Sequence, residues 1–182
     1  MNNTFSLKYN PTTTKQVFFP SMLLDTSIVE CKLLDLPTID KFPSTTEQEW
    51  KNYRHFGLRS AHSYILVYDV TSVASFYYIQ SIRDQIVASR GLTDIPIIVS
   101  ANKRDLATSK IDNNELVREQ SRSKHEIVST VQKTWRASYI ECSAKHNWKI
   151  TAVFKELAKE VISQRDNTAT GEDQHNCCAI WN

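Results

Sequence analysis

Two short polar clusters carry the side chains best suited to recognising a ligand: Asn102-Lys103-Arg104-Asp105 and Ser143-Ala144-Lys145. An ionised carboxylate only accepts hydrogen bonds, and its two oxygens form a fork. Guanine presents two adjacent donors, its ring N–H and its exocyclic amine, and Asp105 could take both. Adenine presents an acceptor and a bare carbon at the same edge, so the carboxylate would face a lone pair. A buried unpaired charge costs at least ~1–3 kcal/mol, enough to discriminate between the two purines. The aliphatic stem of Lys103 could lie along a base, and Asn102 could tie the two clusters together. Singly, each cluster is a weak signal. Three fixed positions of N-K-x-D recur by chance roughly once in several thousand positions, and a solvated polar turn capping a strand explains NKRD about as well. In this order, each after an apolar run, the pair is far more specific.

The elements that must position these clusters alternate. Tyr64 to Val70 (YILVYDV) is a continuous apolar run, as expected of a strand covered on both faces. Ser75 to Ser89 places Phe76, Ile79, Ile82, Ile86 and Val87 at helical spacing. Pro96 to Ala101 (PIIVSA) reads as a second buried strand, followed by a polar loop from Ala107 to Ser123, a helix near His125 to Trp135 and a short strand at Ser138 to Cys142. The last helix, Trp148 to Gln164, carries the cleanest stripe: Ile150, Val153, Phe154, Leu157, Ala158, Val161 and Ile162. Upstream, Gln16 to Leu24 and Ile28 to Leu36 read as antiparallel strands around a turn at Asp25-Thr26-Ser27, with Pro20 marking an edge strand. A polar segment from Ser44 to Tyr53 could form a short helix stopped near Gly57. Such alternation predicts an α/β fold with a mainly parallel sheet, whose ligands bind outside the carboxyl ends of the strands. Both polar clusters fall there.

Composition narrows the field. The 182 residues allow one domain, and a net charge of +2 gives no field suited to nucleic acid. Only three glycines occur, Gly57, Gly91 and Gly171, where average usage of about 7% would give roughly a dozen. No glycine-rich phosphate loop can therefore lie before residue 57. The cysteines, Cys31, Cys142, Cys177 and Cys178, show neither a disulfide framework nor zinc-ligand spacing, and the first pair sits within apolar runs that predict buried thiols. The first residues, MNNTFSLKYN, contain no apolar signal region, so a cytosolic location is expected.

The segments YILVYDVTSVASF, PIIVSANKRDL and YIECSAK resemble three strands of the Ras-like small GTPases with their following loops. LLDLPTIDKFP, QEW, GLRSAHSYILVYD and ECSAKHNW are similar to the divergent branch called Ras-like family ten. The resemblance runs to about residue 164 and implies a Ras-like P-loop NTPase fold, while the polar composition of residues 165–182 predicts a flexible tail. It implies guanine contacts from Asn102, Lys103, Asp105, Ser143, Ala144 and Lys145. Phe5, in a segment similar to the one entering the first switch loop, would stack at the guanine edge, and Thr12 would ligate Mg2+. Asp35 would reach that ion through water. For Thr12 an exposed polar loop, and for Asp35 the cap of the next turn, are equal alternatives. GTP, GDP and Mg2+ are the cofactors implied, and effector or regulator proteins the partners.

The departures carry as much weight. The family's first strand, its G-x-x-x-x-G-K-[S/T] loop and its first helix have no counterpart ahead of Phe5. Without that loop's backbone N–H groups, Lys and Ser/Thr, phosphate affinity should be weak. Its D-x-x-G-Q reads Asp35-Leu36-Pro37-Thr38-Ile39, and an isoleucine cannot orient a water. Loss of a central strand should also expose two sheet edges. The expectation is a shortened form of a longer protein whose own stability is poor. The ending Cys177-Cys178-Ala179-Ile180-Trp181-Asn182 puts Cys178 one place too far from the terminus for prenylation. Palmitoylation of Cys177 and Cys178, with peripheral contact at the plasma membrane, stays open against an unmodified tail.

Three functions compete. One is a GTP/GDP-binding switch impaired in this chain, whose hydrolytic activity is left undecided. The second is a pseudo-GTPase, an interaction protein that does not cycle nucleotide. The third is an unrelated α/β binding domain whose polar turns imitate the guanine motifs.

Overall fold

A computed structural model describes residues 5–8, 10–39, 41–43, 51, 56–90, 95–107, 123–168 and 176–181. Its strands are β1 (Gln16–Phe18), β2 (Ser21–Leu24), β3 (Ser27–Asp35), β4 (Ser63–Asp69), β5 (Ile97–Asn102), β6 (Ser138–Glu141) and β7 (Asn176–Trp181). Its helices are α1 (Val73–Arg90), the short α2 (Arg104–Ala107), α3 (123–134, ending in a π-helical turn at Thr130–Thr134) and α4 (Ile150–Thr168). The sheet runs β1-β3-β7-β4-β5-β6, with β2 also paired to β3. Its β3-β7-β4-β5-β6 portion is parallel, while β1 and β2 lie antiparallel to β3. The mainly parallel α/β architecture read from the sequence is the one observed.

Successive strand residues face opposite sides of a sheet, and that period of two assigns the core. Tyr64, Leu66 and Tyr68 of β4 pack with Val99 and Ala101 of β5 against Phe76, Ile79, Ile82 and Ile86 of α1. Ile65 and Ile98 join Leu33 on the other face, against Val153 and Leu157 of α4. Continuous apolar runs are needed because each face is covered. α1 begins where the Ser72 hydroxyl accepts from the Ser75 N–H at 3.3 Å, an N-cap arrangement. Near its end, Arg90 donates to the carbonyls of Leu58 and Ala61 at 3.1 and 2.8 Å and to the Tyr64 hydroxyl at 2.7 Å. Gly57 has φ 75°, and a Cβ there would stand 3.1 Å from Leu34 Cδ1, so this turn needs glycine.

The first predicted strand is split. Phe19-Pro20 interrupts it, because proline lacks the N–H that a continuous ladder needs; the Pro20 carbonyl still accepts from the Cys31 N–H at 3.0 Å. The turn at Asp25-Thr26 is as expected, with Asp25 at φ 52°. Most of the helix expected over 44–53 and of the loop expected over 107–123 lies outside the described residues.

The largest difference concerns the end of the chain. The sequence reading places a flexible tail from residue 165 and two bare sheet edges beside a vacant central position. Instead α4 runs on to Thr168, and Asn176–Trp181 forms a strand in that position. Cys31–Asp35 pair with Asn176–Ile180 on one side, and Ser63–Leu66 with Cys178–Trp181 on the other. Two facing rows of N–H and C=O groups are satisfied only by a strand between them, and that demand outweighs the segment's polar surroundings in sequence. No described helix is long and apolar enough to cross a membrane.

Candidate functional site

The carboxyl ends of β4, β5 and β6 bring three loops together. Asn102 ends β5, and its Oδ1 accepts from the Lys103 N–H at 2.7 Å and from the Ala144 N–H, 42 positions away, at 3.0 Å. Lys103 adopts φ 62°. That left-handed turn folds its own N–H back onto the Asn102 side chain. The Ser143 hydroxyl donates to Asp105 Oδ1 at 2.6 Å and accepts from the His146 N–H at 3.2 Å. The Arg104 N–H donates to the Cys142 carbonyl at 3.1 Å. Asn102, Asp105, Ser143 and Ala144 thus form one hydrogen-bonded unit.

Electrostatics keep the unit charged. The Ser143 hydrogen bond holds the Asp105 carboxyl below the usual carboxylate range, although partial burial opposes it, with help from His146 and Lys145. Lys145 is exposed. Arg104 Nε meets Glu141 Oε2 at 2.6 Å and Lys124 meets Glu141 Oε1 at 2.5 Å. Burial favours protonation of Glu141, but these two cations outweigh it and lower its pKa.

Sequence reasoning missed Asp69. It ends β4 and binds the Lys103 ammonium through Oδ2 at 2.8 Å, while its Oδ1 accepts from the Thr71 N–H and hydroxyl at 2.8 and 2.7 Å. Its position at a strand's carboxyl end, in line with Asn102 across the β4–β5 register, was the available signal. Trp148 was missed too. It pairs with Ser143 through a two-residue antiparallel bridge, closing the loop after β6, and the Lys149 ammonium lies 4.6 Å from its ring centre.

Thr12 and Asp35 also meet. The Thr12 hydroxyl donates to Asp35 Oδ2 at 3.1 Å, whereas Asp35 Oδ1 is buried without a hydrogen-bond partner among the described residues. Burial raises the Asp35 pKa, against the opposing bonds from Thr12 and the Leu36 N–H. An orphaned carboxylate oxygen beside a hydroxyl is a hard oxygen donor set suited to Mg2+, which takes one or two protein oxygens and leaves its other positions to phosphate and water. The residues fit that ion. Phe5 stands 51% exposed in the irregular stretch before Thr12, and the two base-side loops are held to each other without it.

Ile39 is buried, and its N–H and C=O both engage the Tyr78 hydroxyl, at 3.3 and 3.1 Å. Phe42 N–H donates to Gln85 Oε1 at 2.8 Å, and Ser89 donates to the Pro43 carbonyl at 2.8 Å. Ile39, Phe42 and Pro43 are therefore stapled along α1. Cys31 and Cys142 are buried, as their apolar runs predicted. Cys177 and Cys178 lie on β7, paired to β3.

The sequence model described as Ras family matches residues 1–163. The chain is similar to the human Ras-like protein family member 10B, 39% identical over 161 residues that cover 87% of this chain and 74% of that protein. It is also similar to the mouse Ras-like protein family member 10A, at 29% identity covering 84% and 71% of the two chains. The GTP-binding protein Rheb homolog of Dictyostelium discoideum is 37% identical over 119 residues, covering 65% and 57%.

Proposed function

The chain belongs to the Ras family, whose members are small GTPases that bind guanine nucleotides and signal through effectors and regulators, and from that membership we propose a guanine-selective signalling protein with a weakened phosphate grip. Asp105 takes the two donors of the guanine edge, Lys103 lies along the base, and Asn102 with Ser143, Ala144 and Lys145 fixes the loops around it. Thr12 and Asp35 hold Mg2+, which when bound offsets phosphate charge. The single observation that supports this reading most is the 2.6 Å bond from Ser143 to Asp105, made while Asn102 holds Ala144. It pre-orients one carboxylate oxygen and leaves little to reorganise when a base arrives.

A specific observation also favours the interaction-protein reading. Ile39 stands where the family carries its water-orienting glutamine, and it is buried and bound to Tyr78. A side chain committed to the core positions no water, so hydrolysis by this chain is slow, and the stapled residues Ile39, Phe42 and Pro43 serve as a fixed recognition surface. Weak nucleotide affinity fits the absence of a G-x-x-x-x-G-K-[S/T] motif from residues 1–182. A cytosolic protein completes the proposal; acylation of Cys177 or Cys178 would require β7 to leave its place between β3 and β4.

Calorimetric titration of GDP, GTP and ADP with magnesium tests it. The expected result is weak binding with GDP and GTP preferred to ADP. Equal affinity for GDP and ADP would overturn the base assignment, and rapid GTP turnover would overturn the reading of Ile39.

A further inference from the structure

The hold of β7 on the sheet is set by backbone pairing and not by the chain's path. Only residues 169–175 join it to the described fold, and it pairs in parallel with five residues of β3 and four of β4. Backbone N–H and C=O groups carry no address, so any copy of Asn176–Trp181 in the same register satisfies both ladders equally. With β7 withdrawn, β3 and β4 present facing unpaired edges, the structural situation that recruits a strand from elsewhere.

The tether permits either source. Eight residue steps separate Thr168 from Asn176, a reach of roughly 26–29 Å when extended. That is about two-thirds of the width of a domain this size, enough for the strand either to fold back or to cross to a molecule packed against it. The connection reads Ala169-Thr170-Gly171-Glu172-Asp173-Gln174-His175, without a large apolar residue to anchor it. We propose that the slot between β3 and β4 is a strand-acceptor site, and that two copies of this chain exchange Asn176–Trp181 through it to form a two-fold symmetric dimer. Each sheet is then completed by its partner's strand, with the same pairs as in the closed monomer, which is the condition for exchange at low cost. A short tether gives an effective concentration of about millimolar. The closed monomer therefore prevails in dilute solution, and the exchanged form is reached by unfolding and refolding at high protein concentration.

The register supplies the test, because Lys32 is exposed and pairs with Cys177. In the full chain carrying Lys32→Cys, mild oxidation after dilute refolding should link the introduced thiol to Cys177 within one molecule. After concentrated refolding the same link, identified by peptide mapping, should join two molecules and yield a covalent dimer. Adding Ala179→Pro, which removes a ladder donor from a strand paired on both sides, should abolish both species. The unaltered chain provides an independent readout by light scattering. Concentrated refolding should give a dimer that survives dilution but reverts to monomer after unfolding and dilute refolding. An intramolecular link at every concentration would overturn the exchange. So would a dimer that lacks the link to Cys177 or that persists with Ala179→Pro.

Discussion

Asp105 and Ser143, 38 positions apart in the chain, meet at 2.6 Å across the gap between the loops that follow β5 and β6. The Ser143 hydroxyl serves both loops at once, since it also accepts from the His146 N–H. One side chain thereby fixes a carboxylate on its neighbour's loop and the turn of its own.

Replacing Asp105 by Asn tests the base contact directly. The amide offers one acceptor and one donor where guanine needs two acceptors, so one pairing becomes a clash of donors. A loss of about 1–3 kcal/mol corresponds to roughly a 5- to 150-fold fall in the GDP-over-ADP preference, read by competition titration. Ser143→Ala should give a smaller fall, because it frees the carboxylate without changing its charge. A preference untouched by Asp105→Asn would remove this residue from the site.

Asn102 should act through position alone. Its side-chain oxygen satisfies the N–H groups of both Lys103 and Ala144. Asn102→Ala leaves two donors without that partner and should cost about 1–3 kcal/mol of stability as well as weaken GDP binding. Asn102→Asp keeps an acceptor and should recover part of the stability. Urea melts of the two variants check the ordering, and equal losses would show that the bridge contributes nothing.

Much of this arrangement was legible in the sequence, for reasons that differ by element. β4, β5, α1 and α4 announce themselves by apolar runs and helical stripes because each is packed on a core face. The pairing of NKRD with SAK followed from strand order, since parallel strands deliver their following loops to one rim. β7 was illegible because its place depends on two ladders more than a hundred residues away, not on its own pattern. The staple between Ile39 and Tyr78 was equally hidden, as it joins groups 39 residues apart through a hydroxyl that composition does not locate. Asp69 was overlooked because no chemistry in its own segment marks it as the partner of Lys103.

The staple makes its own prediction. Tyr78→Phe removes the partner of the Ile39 N–H and C=O while keeping the ring. About 1–2 kcal/mol should be lost, which for a chain of this size lowers Tm by about 2–8 °C. Ile39→Gln, which introduces the glutamine that the proposed reading finds replaced here, should also destabilise, because it places an amide where a buried apolar side chain packs. It should not raise GTP turnover, since the backbone at this position stays tied to α1. A scanning calorimeter and a phosphate-release assay check both points, and a gain in turnover would show that residue 39 is free to reach water.

Asp35 sets a dependence on pH opposite to that of most carboxylates. Burial raises its pKa in the folded chain above the ordinary value. Below both values the folded and unfolded chains carry the proton alike. Between the ordinary value, about 3.9, and the raised one, the folded chain still holds the proton that the unfolded chain has released. Stability therefore falls as pH rises through that window and levels off above the folded pKa. Asp105 acts in a separate range: its lowered pKa contributes stability that is complete above the ordinary value and lost only as pH falls through the folded one. Glu160 is raised by burial as Asp35 is, so the measurement is a difference between variants. Chemical denaturation of the wild-type chain minus that of Asp35→Asn should slope downward with rising pH above about 4, and the variant should be the more stable at neutral pH. Millimolar magnesium should then raise the wild-type midpoint at neutral pH, because on the proposed reading the ion would occupy the oxygen that has no partner among the described residues, and should leave Asp35→Asn unmoved. A difference curve that rises with pH, or a magnesium response equal in both chains, would show that Asp35 is neither strained by burial nor placed to hold the ion.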